Sequence, residues 1–176
     1  MKIVLEHVSS SYGVDFVNVN KNIGGTITPH HMLLTKKDVF KNEKINPHHY
    51  CMPVVKNEED LLSLRKAACF DNDKFFLGTD SAPHLTKDKI QHESLKAGIF
   101  SSPCSLELYA NIFEEEHALH NLEKFSSING PKFYGLDINS QVLTLTKTET
   151  EVPEYTEEGN IKIKNFFAGK KINWKV

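Results

Sequence analysis

Cysteine, tryptophan, long apolar runs and any excess of one charge are all scarce in this sequence. Its 176 residues hold three cysteines and one tryptophan. Cys51, Cys69 and Cys104 are odd in number and widely spaced, which excludes a disulfide framework and offers no CxxC pair for a zinc ribbon or redox dithiol. Reduced, buried thiols are expected. The opening MKIVLEHVSSSYG interrupts its apolar run at Glu6 and His7, too early for a signal-peptide core or a membrane span, so a cytoplasmic protein is expected. Lysine plus arginine number 21 against 23 aspartate plus glutamate, a net charge of -2, and no long-range positive field is available for a polyanion. Neither nucleic acid nor a membrane is expected as a partner. With 9 Gly and 7 Pro the chain is neither collagen-like nor low in complexity, and its length suits one domain with a real core. Histidine is what the chain has in plenty, with nine.

Hydrophobic patterning predicts alternating strands and helices. Lys2 to Leu5 reads as a strand ending at Glu6 and His7, followed by a helix that starts after Ser9 to Ser11. Gly24-Gly25 is expected to break that helix before a second strand, Thr26-Ile27-Thr28, which ends at Pro29-His30-His31. Tyr50 to Val55 is extended around Pro53. NEEDLLSLRKAACF predicts a helix, because Leu61, Leu62, Leu64 and Ala68 share a face while acids come early and bases late. Phe75-Phe76-Leu77-Gly78 has the continuous apolar character of a buried parallel strand and ends at Thr79-Asp80-Ser81. Two helices follow, one from Pro103 and a second, NLEKFSSING, closed by Gly130-Pro131. The tail predicts a small β element, beginning with the alternating Val142 to Thr146. In a parallel α/β fold function collects at the carboxyl ends of strands, where His7, His30, His31 and Asp80 fall.

Six segments carry a resemblance. KIVLEHVS (2–9), TITPHH (26–31), PHHYCMPVVK (47–56), FFLGTDSAPH (75–84), FEEEHAL (113–119) and SINGPKFYGL (127–136) are similar, in order and spacing, to dihydroorotases of the bacterial single-chain type, members of the amidohydrolase superfamily. GTDSAPH and NGPKFYGL are the specific ones. The resemblance implies a (β/α)8 TIM barrel of the metallo-dependent hydrolase type, which needs ~250 residues when complete. It therefore implies the carboxyl-terminal part of such a barrel, with about three strands: residues 1–136 as partial barrel and 137–176 as a β-containing extension of the same domain. The implied activity is zinc-dependent hydrolysis of a cyclic amide, interconverting N-carbamoyl-L-aspartate and (S)-dihydroorotate in pyrimidine synthesis.

Residue by residue, the resemblance makes His7 a ligand of one zinc and Asp80 a ligand of the other as well as the general base. It gives His84 and the backbone of Ala97 the substrate carboxylate, and the backbone at Met52 the pyrimidine ring amide. The family's H-x-H pair, bridging lysine and further histidine ligand have no match, and no H-x-H occurs among these 176 residues. A chain with two metal ligands is expected to be inactive alone. The other reading is a catalytically inactive half barrel that only binds a partner: the complementary amino-terminal half, another enzyme of pyrimidine synthesis or a second copy. His30 and His31 are read first as packed residues and second as hydrogen-bonding support behind the ligands. His48, His49 and His92 are read as loop residues. His117 and His120 have metal-capable spacing but lack the glutamate of HExxH, and Glu114-Glu115-Glu116 reads as a solvated helix face.

Overall fold

The computed structural model describes residues 1–90 and 95–176, so the expectation for His92 lies outside the described residues. Strand β1 (Ile3–Leu5), helix α1 (Ser11–Val19) and strand β2 (Ile23–Ile27) form the first unit. A 3-10 turn (His30–Met32), α2 (Lys36–Val39) and a hairpin of β3 (Phe40–Lys41) and β4 (Lys44–Ile45) lead to α3 (Glu58–Cys69) and β5 (Phe75–Leu77). Strands β1, β2 and β5 make one parallel sheet with β2 at its centre, and the registers Val4 to Gly24 and Thr26 to Phe76 are those of adjoining βαβ units.

Local chemistry accounts for the helices. Ser10 Oγ accepts from the Gly13 N–H at 3.2 Å to begin α1, and Asn57 Oδ1 accepts from the Asp60 N–H at 3.0 Å to begin α3. Asp60 also joins the two, since the Ser11 N–H donates to its Oδ1 at 2.9 Å. Gly24 and Gly25 do not break α1 but lie inside β2, because aromatic rings cover that stretch of backbone. A Cβ at Gly25 would meet the Phe75 ring at 2.9 Å, and one at Gly24 would meet the Phe133 and Phe76 rings at 3.0 Å.

Helix α4 (Thr86–Ile90) is followed by α5 (Ser105–Glu115) and by a π-helical turn (Lys124–Ile128) that runs into α6 (Asn129–Tyr134). Gly130-Pro131 is expected from the sequence to close this helix and instead lies in the first turn of α6, directly after the π-helical turn. The stop is Gly135, in the left-handed region at φ 72°. His117, at φ 56°, closes α5 in the same way, with the Ala118 N–H donating to the Phe113 carbonyl at 2.7 Å.

The tail is β, as expected, but begins later than the alternating pattern implied. Val142 and Leu143 are exposed and outside any strand; β6 is Thr146–Glu151 and pairs antiparallel with β9 (Lys171–Lys175). Between them β7 (Tyr155–Glu158) pairs with β8 (Ile161–Lys164). One core packs Val17, Leu64, Phe75, Tyr109, Phe113 and Phe125 between sheet and helices. A second joins Val39, Cys51, Val55 and Ile99 to Val152, Phe166 and Ile172 of the tail. Among the described residues no helix is long and apolar enough to cross a membrane.

Candidate functional site

Two side chains at the carboxyl edge of the sheet sit on unusual backbone. His7, just past β1, has φ 49° and Asp80, just past β5, has φ 44°. Neither is glycine, so each conformation costs ~1–3 kcal/mol and persists only because its surroundings enforce it. Thr26 does much of the enforcing. The His7 N–H donates to Thr26 Oγ1 at 2.9 Å and the Val8 N–H to the Thr26 carbonyl at 2.9 Å, while Gly78 approaches so closely that a Cβ there would lie 2.5 Å from Thr26 Cβ. The result brings His7 Nε2 to 3.7 Å from Asp80 Oδ1 and 3.5 Å from Glu6 Oε2. Burial raises the Asp80 carboxyl above its ordinary range, with His7 opposing and Glu6 adding to the shift.

His84, four residues beyond Asp80 in the chain, meets Ala97. The His84 Nε2–H donates to the Ala97 carbonyl at 2.9 Å, and the Ala82 N–H donates to the Ile99 carbonyl at 3.0 Å. Gly98, at φ 145°, has to be glycine, because a Cβ would lie 2.7 Å from that of Ala82. Lys89 joins this segment to the one that carries Met52. Its buried ammonium donates to the carbonyls of Gly98 at 2.7 Å, Lys96 at 2.8 Å and Tyr50 at 3.2 Å, using all three protons. Burial pushes it down to about 8. The Gly98 N–H also donates to the Tyr50 carbonyl, at 2.9 Å. Met52 is exposed, two residues along from that junction. A small cleft is lined by His48, His84, Lys89, Gly98 and Lys164.

His7 and Asp80 thus come together, His84 and Ala97 come together, and Met52 is tied to the second pair through backbone. Sequence reasoning missed Thr26 and Lys89. Neither had a signal, since a threonine in a β-rich run and a lysine in a polar stretch are ordinary there. His31, in the 3-10 turn after β2, is bonded at both nitrogens: Nε2–H donates to the Pro53 carbonyl at 2.8 Å and Nδ1 accepts from Thr28 Oγ1 at 2.7 Å. The three glutamates of α5 and its end are not a free solvated face. Arg65 Nη1 donates to Glu115 at 2.8 Å and Glu116 at 3.1 Å, and Trp174 Nε1 donates to Glu114 at 3.1 Å.

No family model matches the chain. It is 46% identical to a dihydroorotase of Erythrobacter litoralis over 179 aligned residues, covering 100% of this chain and 51% of that protein. Among solved structures it superposes on dihydroorotase from Saccharomyces cerevisiae, in complex with 5-fluoroorotic acid, with a TM-score of 0.89 and 35% identity, covering 99% of this chain and 50% of the other. A D-hydantoinase from Thermus sp. shares the fold at a TM-score of 0.77 and 16% identity. The chain spans about half the length of the curated relatives it matches. With whole-length identities of this size and the same fold, the chain is a homologue of the dihydroorotases and corresponds to their carboxyl-terminal half.

Proposed function

We propose that these residues contribute one half of a dihydroorotase active site, in an enzyme that interconverts N-carbamoyl-L-aspartate and (S)-dihydroorotate in pyrimidine synthesis. What carries the reading is the pair His7 and Asp80, 3.7 Å apart on left-handed backbone at the ends of two strands of one parallel sheet, in a chain that aligns along its whole length with dihydroorotases. In this reading residues 1–136 belong to a (β/α)8 barrel, with β1, β2 and β5 as three of its strands, and residues 137–176 extend the same domain.

An imidazole nitrogen and a carboxylate oxygen are both donors that zinc accepts, and in this respect the pair fits two zinc ions, His7 holding one and Asp80 the other. Two donors fall short of a full set, so the complementary half provides the rest. When bound, zinc supplies Lewis-acid polarisation of the ring carbonyl and a lowered pKa for the attacking water. Asp80 takes the proton that this water sheds as the carbon–oxygen bond forms, and gives it to the ring nitrogen as the carbon–nitrogen bond breaks. Ring closure runs the same transfers backwards. His84, its ring oriented by the bond to Ala97, and the Ala97 backbone hold the substrate carboxylate, while backbone at Met52 meets the ring amide.

One observation favours the second reading, an inactive half barrel that only binds. Strands β1 and β5 each pair with β2 alone among the described strands, leaving edges that suit the complementary half or a second copy. A chimera separates the two readings. These residues, substituted for the matching half of the Erythrobacter litoralis enzyme, are expected to hydrolyse dihydroorotate and to lose that activity on Asp80→Asn. A folded chimera without turnover would leave only the binding role.

A further inference from the structure

Behind His7 and Asp80 lies a group of side chains for which the proposed chemistry has no use. His30, His31 and Cys51 each have a metal-binding atom, and these atoms all lie within 4.8 Å of one another. Their exposures are 0%, 2% and 1%. His30 is the anomaly. Neither its Nδ1 nor its Nε2 has a hydrogen-bond partner. A neutral imidazole has one N–H and one lone pair, and leaving each unmet in the interior costs ~1–3 kcal/mol. Packing does not account for this, because a methionine or leucine would fill the same space without the polar cost. The ring lies against His31 with centroids 4.7 Å apart, and edge-on to Phe166 at 6.2 Å.

His31 is held as metal-binding histidines usually are. The bond from His31 Nε2–H to the Pro53 carbonyl fixes one tautomer and turns the ring, the support that metal-binding histidines receive from a second partner. The Cys51 thiol donates to the same carbonyl at 3.4 Å, a bond it gives up when it ionises to bind a metal. We propose that His30, His31 and Cys51 form a buried site for a thiophilic divalent ion such as zinc, separate from the His7 and Asp80 pair. Two imidazoles and a thiolate are a donor set that zinc takes, with bonds of ~2.0–2.3 Å, so the three donors close by ~1 Å around the ion. His31 keeps one of its present partners as outer support and exchanges the other for the ion. Burial holds both imidazoles neutral at pH 7, His31 down at about 4 and His30 well below its ordinary value, so their lone pairs are free of protons. The Cys51 thiol, pushed up to about 11 by burial, is protonated without the ion and releases that proton to solvent when the ion binds. The site would tie the turn after β2 to the residue before Met52. It stands apart from the dihydroorotase reading, since its ligands and its signature differ.

Cobalt(II) is the probe, because thiolate ligation gives a near-ultraviolet charge-transfer band that nitrogen and oxygen ligands do not. The chain would be refolded with cobalt(II), alone and with a complementary dihydroorotase half, and excess metal removed. The expected result is a thiolate-to-cobalt band that persists in Asp80→Asn and in the double variant Cys69→Ala, Cys104→Ala. It should vanish in Cys51→Ala and in His30→Gln, with folding of each variant checked by circular dichroism. Absence of the band from the unsubstituted chain under both conditions overturns the proposal whatever the variants do. So does its survival in folded Cys51→Ala, or its loss from the folded double variant.

Discussion

His7 and Asp80 hold backbone conformations that L-residues adopt only under constraint, and such strain is tolerated where a side chain has to point one way. Asp80→Asn in an assembled enzyme should therefore separate activity from stability. Turnover should fall by at least ~10², the usual loss with a general base, while the urea midpoint stays level or rises because asparagine accepts left-handed backbone more readily. A nearly unchanged turnover would remove Asp80 from its assigned role. His84→Ala should instead raise KM more than it lowers kcat, since a carboxylate contact acts in ground and transition states alike. Lys89 gives a pH signature. Its ammonium titrates near 8 in the folded chain and at 10.5 when unfolded, so between these values the unfolded state binds more protons and stability should rise with pH. Lys89→Met should abolish that rise and, by leaving the Lys96 and Gly98 carbonyls without its ammonium while Tyr50 keeps the Gly98 N–H, cost ~1–3 kcal/mol. Parallel pH profiles for the two proteins would contradict this. The placement of His7 and Asp80 just past the ends of two parallel strands was legible in the sequence, because each follows a short β-rich apolar run; the roles that the EHVS and GTDSAPH patterns imply are what substitution tests. Thr26 and Lys89 were not legible, because their importance arises only from neighbours 19 residues or more away, or from loop carbonyls that the sequence does not position.

At the scale of elements, α3 and α5 are joined by one guanidinium. Arg65 Nε donates to the Met32 carbonyl at 2.8 Å, and Nη1 reaches both Glu115 and Glu116, with the Arg65 side chain only 15% exposed. Arg65→Met should cost ~1–3 kcal/mol by denaturant unfolding, because it leaves a carbonyl and two carboxylates without their shared donor. Glu115→Gln, on a side chain 57% exposed, should change stability by no more than ~1 kcal/mol. Equal effects would show that the carbonyl bond contributes little. The serines before α1, the leucine spacing with early acids and late bases of α3, and Pro103 ahead of α5 made these helices legible, since each signal acts within a turn or two of chain. The glycines were misread for a shared reason. Gly24, Gly25 and Gly130 look like breaks when only chain neighbours are considered, but all three lie against phenylalanine rings, Gly24 and Gly25 tightly under Phe133, Phe76 and Phe75 and Gly130 in ordinary contact with Phe76. The late start of β6 has a similar origin, because its partner is β9, some 20 residues further on, and pairing rather than alternation sets where the strand begins.

The described residues form a three-stranded parallel sheet with helices packed on one core, and a β tail whose Val152, Phe166 and Ile172 join a second. The outer edges of β1 and β5 lack partners among the described strands, and unpaired parallel edges invite association. In sedimentation the chain alone should self-associate, and it should become a compact heterodimer when a complementary amino-terminal dihydroorotase half is added. A monodisperse monomer with a cooperative melt would show that the edges are covered. The parallel sheet was legible from alternating strands and helices, and the half-length correspondence from the order of six motifs, whereas the arrangement of the tail depends on antiparallel pairings that local pattern does not specify. The most direct test of the central claim is a steady-state dihydroorotate hydrolysis assay with added zinc, on the chain alone and after mixing with the complementary half. Turnover should be absent from the chain alone, appear on mixing and disappear again with Asp80→Asn; turnover by the chain alone, or a mixture whose activity is indifferent to Asp80→Asn, would contradict the account.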